Sequence, residues 1–195
     1  WYGVSWRGIL FGVNMAHFGK MIYILYGQPA SGKTTIGKKM AEFLQTPFVI
    51  DGDEFREMFS NNNYDKDGRE QNIRNANAVA TYLNKKGMKG DWSAIYYRSE
   101  DSNNIKGLPV KKDTDVIMCL VNPYEHLRAE LRDNNEDEVV EIYLQTNRDL
   151  RKEYHVKDFE LGNPEVIINT DKEPEATWAL MKTILFVEDD NDYLG

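Results

Sequence analysis

One cysteine, Cys119, occurs in 195 residues, so no disulfide can form within the chain. A reducing compartment is the simpler expectation, and it points to the cytoplasm. Cys119 itself reads as a small buried apolar side chain on a strand. Positive charge is also short: 24 Lys and Arg against 32 Asp and Glu leave a net charge of −8. That sign argues against a broad nucleic-acid or acidic-membrane surface, while leaving room for a local basic pocket that holds an anionic metabolite. Uninterrupted apolar runs fall short of the ~18 residues a membrane helix needs. Histidine is scarce, and neither His126 nor His155 has a second metal-ligand type at suitable spacing, so both read as structural or surface residues. An Asn-Lys-x-Asp sequence after a strand, which GTP switches use to read guanine, is missing, and this weakens a switch as a reading.

Apolar residues are sufficient: 41% hydrophobic and 12% aromatic content supports one ordinary domain with a real core. Residues 1–20, WYGVSWRGILFGVNMAHFGK, carry no small-residue cleavage site before the fold begins, so they read as an upstream extension rather than a signal peptide. The domain is expected over 21–186, followed by an acidic tail at 187–195.

Continuous apolar runs at 21–26, 47–50, 116–121, 139–144 and 165–169 read as buried strands. Helices are expected over 35–45, where Ile36, Met40 and Leu44 recur every four residues, and over 69–86, where Ile73, Ala76, Ala80 and Leu83 share a face. Further helices are expected over 125–133, near Arg148–Tyr154, and over Pro174–Phe186. Asp51-Gly52 reads as a turn that closes the second strand. Strands alternating with helices indicate an α/β fold in three layers, a mostly parallel five-stranded sheet with helices on both faces. Residues 88–114 interrupt the rhythm with a connection far longer than the usual two to six or so. There, Ala94–Arg98 could be a strand and Gly107-Leu108-Pro109 a turn. The segment is either a tolerated surface insertion or a flap facing a substrate.

Gly27-Gln28-Pro29-Ala30-Ser31-Gly32-Lys33-Thr34 satisfies GxxxxGK[ST] at every specified position, between an expected strand and an expected helix. Glycines let backbone N–H groups turn inward around a polyphosphate. The Lys33 ammonium can reach β- and γ-phosphates, the Thr34 hydroxyl can ligate Mg²⁺, and the following helix adds its positive end. Gly27, Pro29, Ala30, Ser31, Gly32, Lys33, Thr34 and Thr35 are therefore the candidate contacts to ATP. Asp51 and Asp53 lie at the carboxyl end of the second strand, where ligands of open parallel sheets gather. Such carboxylates can orient an acceptor hydroxyl, take its proton, or hold water around Mg²⁺. Arg56, Arg69 and Arg74 follow, and three arginines in an acidic chain suggest recognition of an anionic acceptor.

The ordered set GQPASGKTT, IDGDEFR, NYDKDGREQNIR, VNPYEHLR, NRDLRKEY and NPEVIINT resembles the adenylylsulfate kinases. These are P-loop kinases that transfer the ATP γ-phosphate to the 3′-hydroxyl of adenosine 5′-phosphosulfate. The resemblance covers about residues 21–186 apart from 88–114. It implies that Asp53 stands beside the acceptor hydroxyl, with Asp51 and Thr34 near Mg²⁺ and Lys33 on the phosphates. It further implies that Arg56, Arg69 and Asn72 contact the acceptor, that Tyr64 stacks on its base, and that Arg148 lies against the adenine of ATP. A homodimer is also implied. The departures are specific. Asn122-Pro123-Tyr124-Glu125 replaces Ser-Pro-Tyr-Arg, and the lid after Tyr154 shortens to HVKDFELGN, where Phe159 could stand in for a missing aromatic residue. Other readings are a relative with a different acceptor, such as cytidine diphosphoramidate, and a nucleotide-binding module without transferase activity.

Overall fold

Five apolar residues in a row, Ile22–Tyr26 (β1), form the middle strand of a five-stranded sheet and are all fully buried. The computed structural model describes residues 20–86, 94–98, 105–109, 115–148 and 150–186. Readings of residues 1–19, of 187–195 and of most of the 88–114 segment lie outside these. After β1 come α1 (Lys33–Leu44), β2 (Val49–Asp51), α2 (Gly52–Met58), α3 (Lys66–Lys86), β3 (Ala94–Arg98) and β4 (Ile105–Pro109). Then follow β5 (Val116–Leu120), α4 (Glu125–Asn134), β6 (Val139–Gln145), a short 3-10 turn at Lys152–Tyr154, β7 (Val166–Asn169) and α5 (Pro174–Leu185).

The main sheet runs β2-β5-β1-β6-β7 with every pairing parallel. Strand alternation divides the core. Tyr23 and Leu25 of β1 meet Ile36, Met40 and Leu44 of α1 and Met181 and Leu185 of α5. Ile22, Ile24 and Tyr26 face Ile73, Ala76 and Ala80 of α3 and Leu127 and Leu131 of α4. The helix faces expected from the four-residue spacing are thus the buried ones, and the three-layer α/β architecture is present. Among the described residues no helix is long and apolar enough to cross a membrane.

Three local expectations are corrected. Asp51-Gly52 starts α2 rather than a bare turn, because Asp51 caps it by accepting the Asp53 amide at 3.0 Å. Helix α3 begins at Lys66 rather than 69, because the Asp65 carboxylate accepts the Gly68 amide at 2.8 Å. Gly107-Leu108-Pro109 is not a turn but part of β4, which pairs antiparallel with β3 in register Tyr96↔Gly107.

Helix α1 lies unusually close to the sheet at Gly37, where a β-carbon would come 2.2 Å from the Cys119 sulfur. Cys119 is buried as expected, its sulfur lies 3.4 Å from the Lys33 carbonyl oxygen, and burial pushes its thiol pKa up to about 12. Gly37→Ala should therefore overpack the interface and destabilise the fold by about 1–3 kcal/mol. Adding Cys119→Ala should recover part of that loss. Urea denaturation of the two variants checks this, and an unchanged midpoint for Gly37→Ala would contradict it.

Candidate functional site

The turn from β1 into α1 is built from positive-φ positions: Gly27 at 150°, Ala30 at 63° and Gly32 at 86°. At Gly27 a side chain is excluded, since a β-carbon would meet the Leu144 carbonyl oxygen at 2.3 Å. Pro29 has no amide hydrogen, so it contributes its ring and not a donor to the loop. Lys33 curls back so that its ammonium donates to the Gly27 carbonyl (3.0 Å), the Gln28 carbonyl (2.8 Å) and Ser31 Oγ (3.3 Å). Burial lowers its pKa to about 8, against the opposing pull of the charges at Asp51 and Asp53.

This lowered pKa has a measurable consequence for a polyphosphate ligand such as ATP. A phosphate held beside Lys33 would favour its protonated form, which is already the main form below pH 8. Above that value the ammonium must regain a proton, so affinity should fall toward about tenfold per pH unit, with proton uptake on binding. Calorimetry in two buffers of different ionisation enthalpy measures that uptake. Constant affinity from pH 7 to 9.5 without uptake would contradict it.

Two side chains that the motif does not specify fasten the loop. The buried Thr170 hydroxyl lies 3.0 Å from the Ser31 carbonyl and 3.1 Å from that of Gln145, its one proton shared between them. Gln28 makes a reciprocal pair with the backbone of Val156, giving from Nε2 and receiving at Oε1, both at 2.9 Å. Sequence spacing carries no signal for either contact, because both partners are more than 120 residues away.

A cleft of about 950 Å³ opens at the carboxyl ends of β1, β2 and β5. Its floor includes Pro29, Ala30, Gly32, Lys33, Thr34 and Thr35, with Asp51 and Asp53 beside them. Gly27 and Ser31 lie beneath this surface. The two oxygens of Asp51 are both engaged: one accepts the Thr34 hydroxyl at 2.6 Å and the other the Asp53 amide. A hydroxyl and a carboxylate in contact at a phosphate loop are a hard oxygen donor set that fits Mg²⁺ completed by phosphate oxygens and water. Among the described residues no group of three or more His, Cys, Asp or Glu side chains comes together, so a cation here would depend on those outside oxygens.

Arg56, Tyr64, Arg69 and Asn72 line one arm of the same cleft. The Arg56 guanidinium lies 4.3 Å from the Tyr64 ring centroid and donates to the Asn63 carbonyl at 2.6 Å, fixing the loop between α2 and α3. Asn72 donates to the Gly52 carbonyl at 3.1 Å. Arg74 does not join them. It sits about 140° around α3 from Arg69 and instead directs one guanidinium nitrogen at both Glu130 carboxylate oxygens, at 2.8 and 2.9 Å.

The opposite arm carries Arg148, Arg151, Tyr154 and Lys172. Arg148 is oriented through Thr146, whose hydroxyl oxygen accepts its Nε at 3.0 Å. Asp171 organises this arm, accepting from the Thr146 hydroxyl (2.7 Å), the Asn147 amide (2.8 Å) and side chain (2.7 Å), and Asn169 (3.0 Å). Those donors hold its carboxyl well below the usual range, the Thr146 hydroxyl most of all.

The segment after Tyr154 is a fastened strap, and Phe159 takes no place over the cleft. Its ring stacks on Tyr26 at 6.2 Å and packs against Tyr143 at 5.8 Å, on the core side. Tyr26 donates to the Leu161 carbonyl at 2.6 Å. Arg128, fully buried, pairs with Glu141 at 2.9 Å and donates to the carbonyls of Asn122, Glu160 and Leu161 at 2.7, 2.9 and 3.0 Å. Helix α4 carries both Arg128 and Arg132, and nothing in its sequence marks the first as such a hub. Glu125, where the resemblance has arginine, pairs with Arg132 at 2.7 Å.

Residues 26–141 match the AAA domain family. No curated protein matches the chain. Among solved structures, the Mycobacterium tuberculosis APS kinase in complex with AMPPNP and APS aligns over 86% of this chain and 98% of its own, with TM-score 0.62 and 16% identity. A Janibacter sugar kinase aligns over 85% and 94% with TM-score 0.56 and 14% identity. The shikimate kinase of Acinetobacter baumannii in complex with shikimate aligns over 86% and 93% with TM-score 0.51 and 15% identity. At these identities the structures establish the fold, while the family match extends over more than half the chain. The chain belongs to the AAA domain family and has the fold of a P-loop kinase.

Proposed function

We propose that this protein is an ATP-dependent kinase that phosphorylates a hydroxyl of a small anionic acceptor, with adenosine 5′-phosphosulfate the first acceptor to test. One observation carries the reading: a single cleft joins Lys33 and Thr34, the carboxylate of Asp53, and the cationic arm of Arg56 and Arg69. In this reading donor phosphate, proton acceptor and acceptor anchor would share one cleft.

In this reading the amides that follow Pro29, with the Lys33 ammonium and the start of α1, hold the β- and γ-phosphates. Arg148 lies against the base. Thr34 and Asp51 would hold Mg²⁺, which neutralises charge on the phosphate oxygens. Arg56, Arg69 and Asn72 anchor the acceptor, and Tyr64 stacks on its ring if it has one. Asp53 orients the acceptor hydroxyl and takes its proton as the new O–P bond forms and the bond to the ADP oxygen breaks. Most of the rate enhancement then comes from positioning and charge stabilisation.

A coupled ADP-release assay with Mg²⁺-ATP, adenosine 5′-phosphosulfate and a panel of adenosine and cytidine nucleotides tests the proposal. Acceptor-dependent ADP release with a 3′-phosphorylated product is the expected result. Release with another acceptor only would keep the kinase and change its specificity. That second reading has its own support, since Asn122 lines the cleft where the resemblance has serine. ATP binding without acceptor-dependent release across the panel would favour a binding module.

A further inference from the structure

Asn122 combines three costly features in one residue of the cleft wall. It is 1% exposed, and neither its side-chain nitrogen nor its side-chain oxygen has a hydrogen-bond partner in the protein. Burying both groups unpaired is unfavourable. Its backbone is left-handed at φ 42°, directly before Pro123, which narrows the conformations open to it further. Arg128 nevertheless holds it there by donating to its carbonyl at 2.7 Å. The carboxamide is thus fixed in the cleft wall with its capacity unused, as strain and unpaired groups at ligand sites commonly are.

Asn72 supplies a second unpaired atom. Its nitrogen is committed to the carbonyl of Gly52, between Asp51 and Asp53, but its side-chain oxygen is buried without a partner. The two carboxamides leave one nitrogen, that of Asn122 with its two N–H groups, and both oxygens without a protein partner. A phosphate or sulfate oxygen can use only the donor and would be repelled by both acceptors. A neutral hydroxyl can both receive and give.

We propose that Asn122 is a specificity-determining residue, its carboxamide, with Asn72 Oδ1, binding a neutral hydroxyl adjacent to the one that reacts. The acceptor class is then an anion with two neighbouring hydroxyls: one for Asp53, one for the carboxamides, and its charged end for Arg56 and Arg69. This rests on the kinase reading above.

The test is calorimetric binding to the full chain in the presence of Mg²⁺-ADP. The probes are AMP, CMP, their 2′-deoxy counterparts, and gluconate. At least one diol probe should bind, and a ribonucleotide that binds should do so about 10- to 100-fold more tightly than its 2′-deoxy form. Asn122→Gly keeps the left-handed backbone. It should remove that preference, weaken the bound diol probe by about 10- to 100-fold, and leave Mg²⁺-ADP affinity within about twofold. A residue selected only for its backbone angle would leave every probe affinity unchanged in this variant, and that result would overturn the proposal. So would equal binding of deoxy and ribo forms to the unaltered protein, which needs no variant. Binding of Mg²⁺-ADP with no diol probe bound would overturn the diol class alone, and failure to bind Mg²⁺-ADP would overturn the kinase reading with it.

Discussion

Lys33→Ala should reduce kcat by at least about 10²–10³-fold, the loss expected when one preorganised charge donor is removed from a transition state. ATP affinity should weaken as well, because in the proposed kinase the ammonium also holds ground-state phosphate. The folded protein should not suffer. Burial already pushes the Lys33 pKa down to about 8, which shows that its charged form is held at a desolvation cost. Removing it relieves that cost but takes the donor from the Gly27 and Gln28 carbonyls, so the two effects oppose and the thermal midpoint should change little. Lys33→Arg should not rescue turnover. The two carbonyls and the Ser31 hydroxyl around Nζ form a pocket for a compact ammonium, and a planar fork does not fit the same place. Steady-state kinetics with a thermal melt check all three statements. A Lys33→Ala enzyme within tenfold of the unaltered rate would remove Lys33 from the mechanism.

Asp53→Asn should lower kcat by about 10²–10⁴-fold, the range of general acid–base catalysis, while Mg²⁺-ATP affinity stays within about twofold. The substitution keeps shape and removes the proton acceptor. Asp53 is exposed in the first turn of α2 and lines the cleft, and the cap that starts the helix is Asp51, so the fold should survive. Asp51→Asn makes the contrast. Asp51 accepts the Thr34 hydroxyl with one oxygen and caps α2 with the other, so its replacement should weaken nucleotide binding and stability together. Equal rates for Asp53→Asn and the unaltered protein would show that the acceptor hydroxyl loses its proton elsewhere.

The parts legible in the sequence were those with a short-range physical signature. Strand β1, the phosphate loop and the buried face of α1 follow one another within 23 residues, and each carries its own pattern. The start of helix α2 is ambiguous in the sequence, because an aspartate before a glycine serves equally as turn or as cap, and only the Asp53 amide decides between them. Arg74 is separated from the cleft by its position around α3: five residues from Arg69 brings it to Glu130. Phe159 is ambiguous in the sequence because an aromatic residue suits a core as well as a lid, and Tyr26 and Tyr143 claim it. Gln28, Thr170 and Arg128 act through backbone atoms distant in sequence, and no local spacing encodes such partners. Asn122 was visible only as a departure from a familiar segment. Its burial and unpaired carboxamide required coordinates.

Transfer of label from γ-³²P-ATP tests the central claim most directly. With Mg²⁺ and a panel of anionic hydroxyl acceptors that includes adenosine 5′-phosphosulfate, the label should appear in a phosphorylated acceptor, with ADP formed in equal amount. The Lys33→Ala and Asp53→Asn proteins should form little of it. Label that stays in ATP, or passes to inorganic phosphate at the same rate with and without every acceptor, would contradict a kinase.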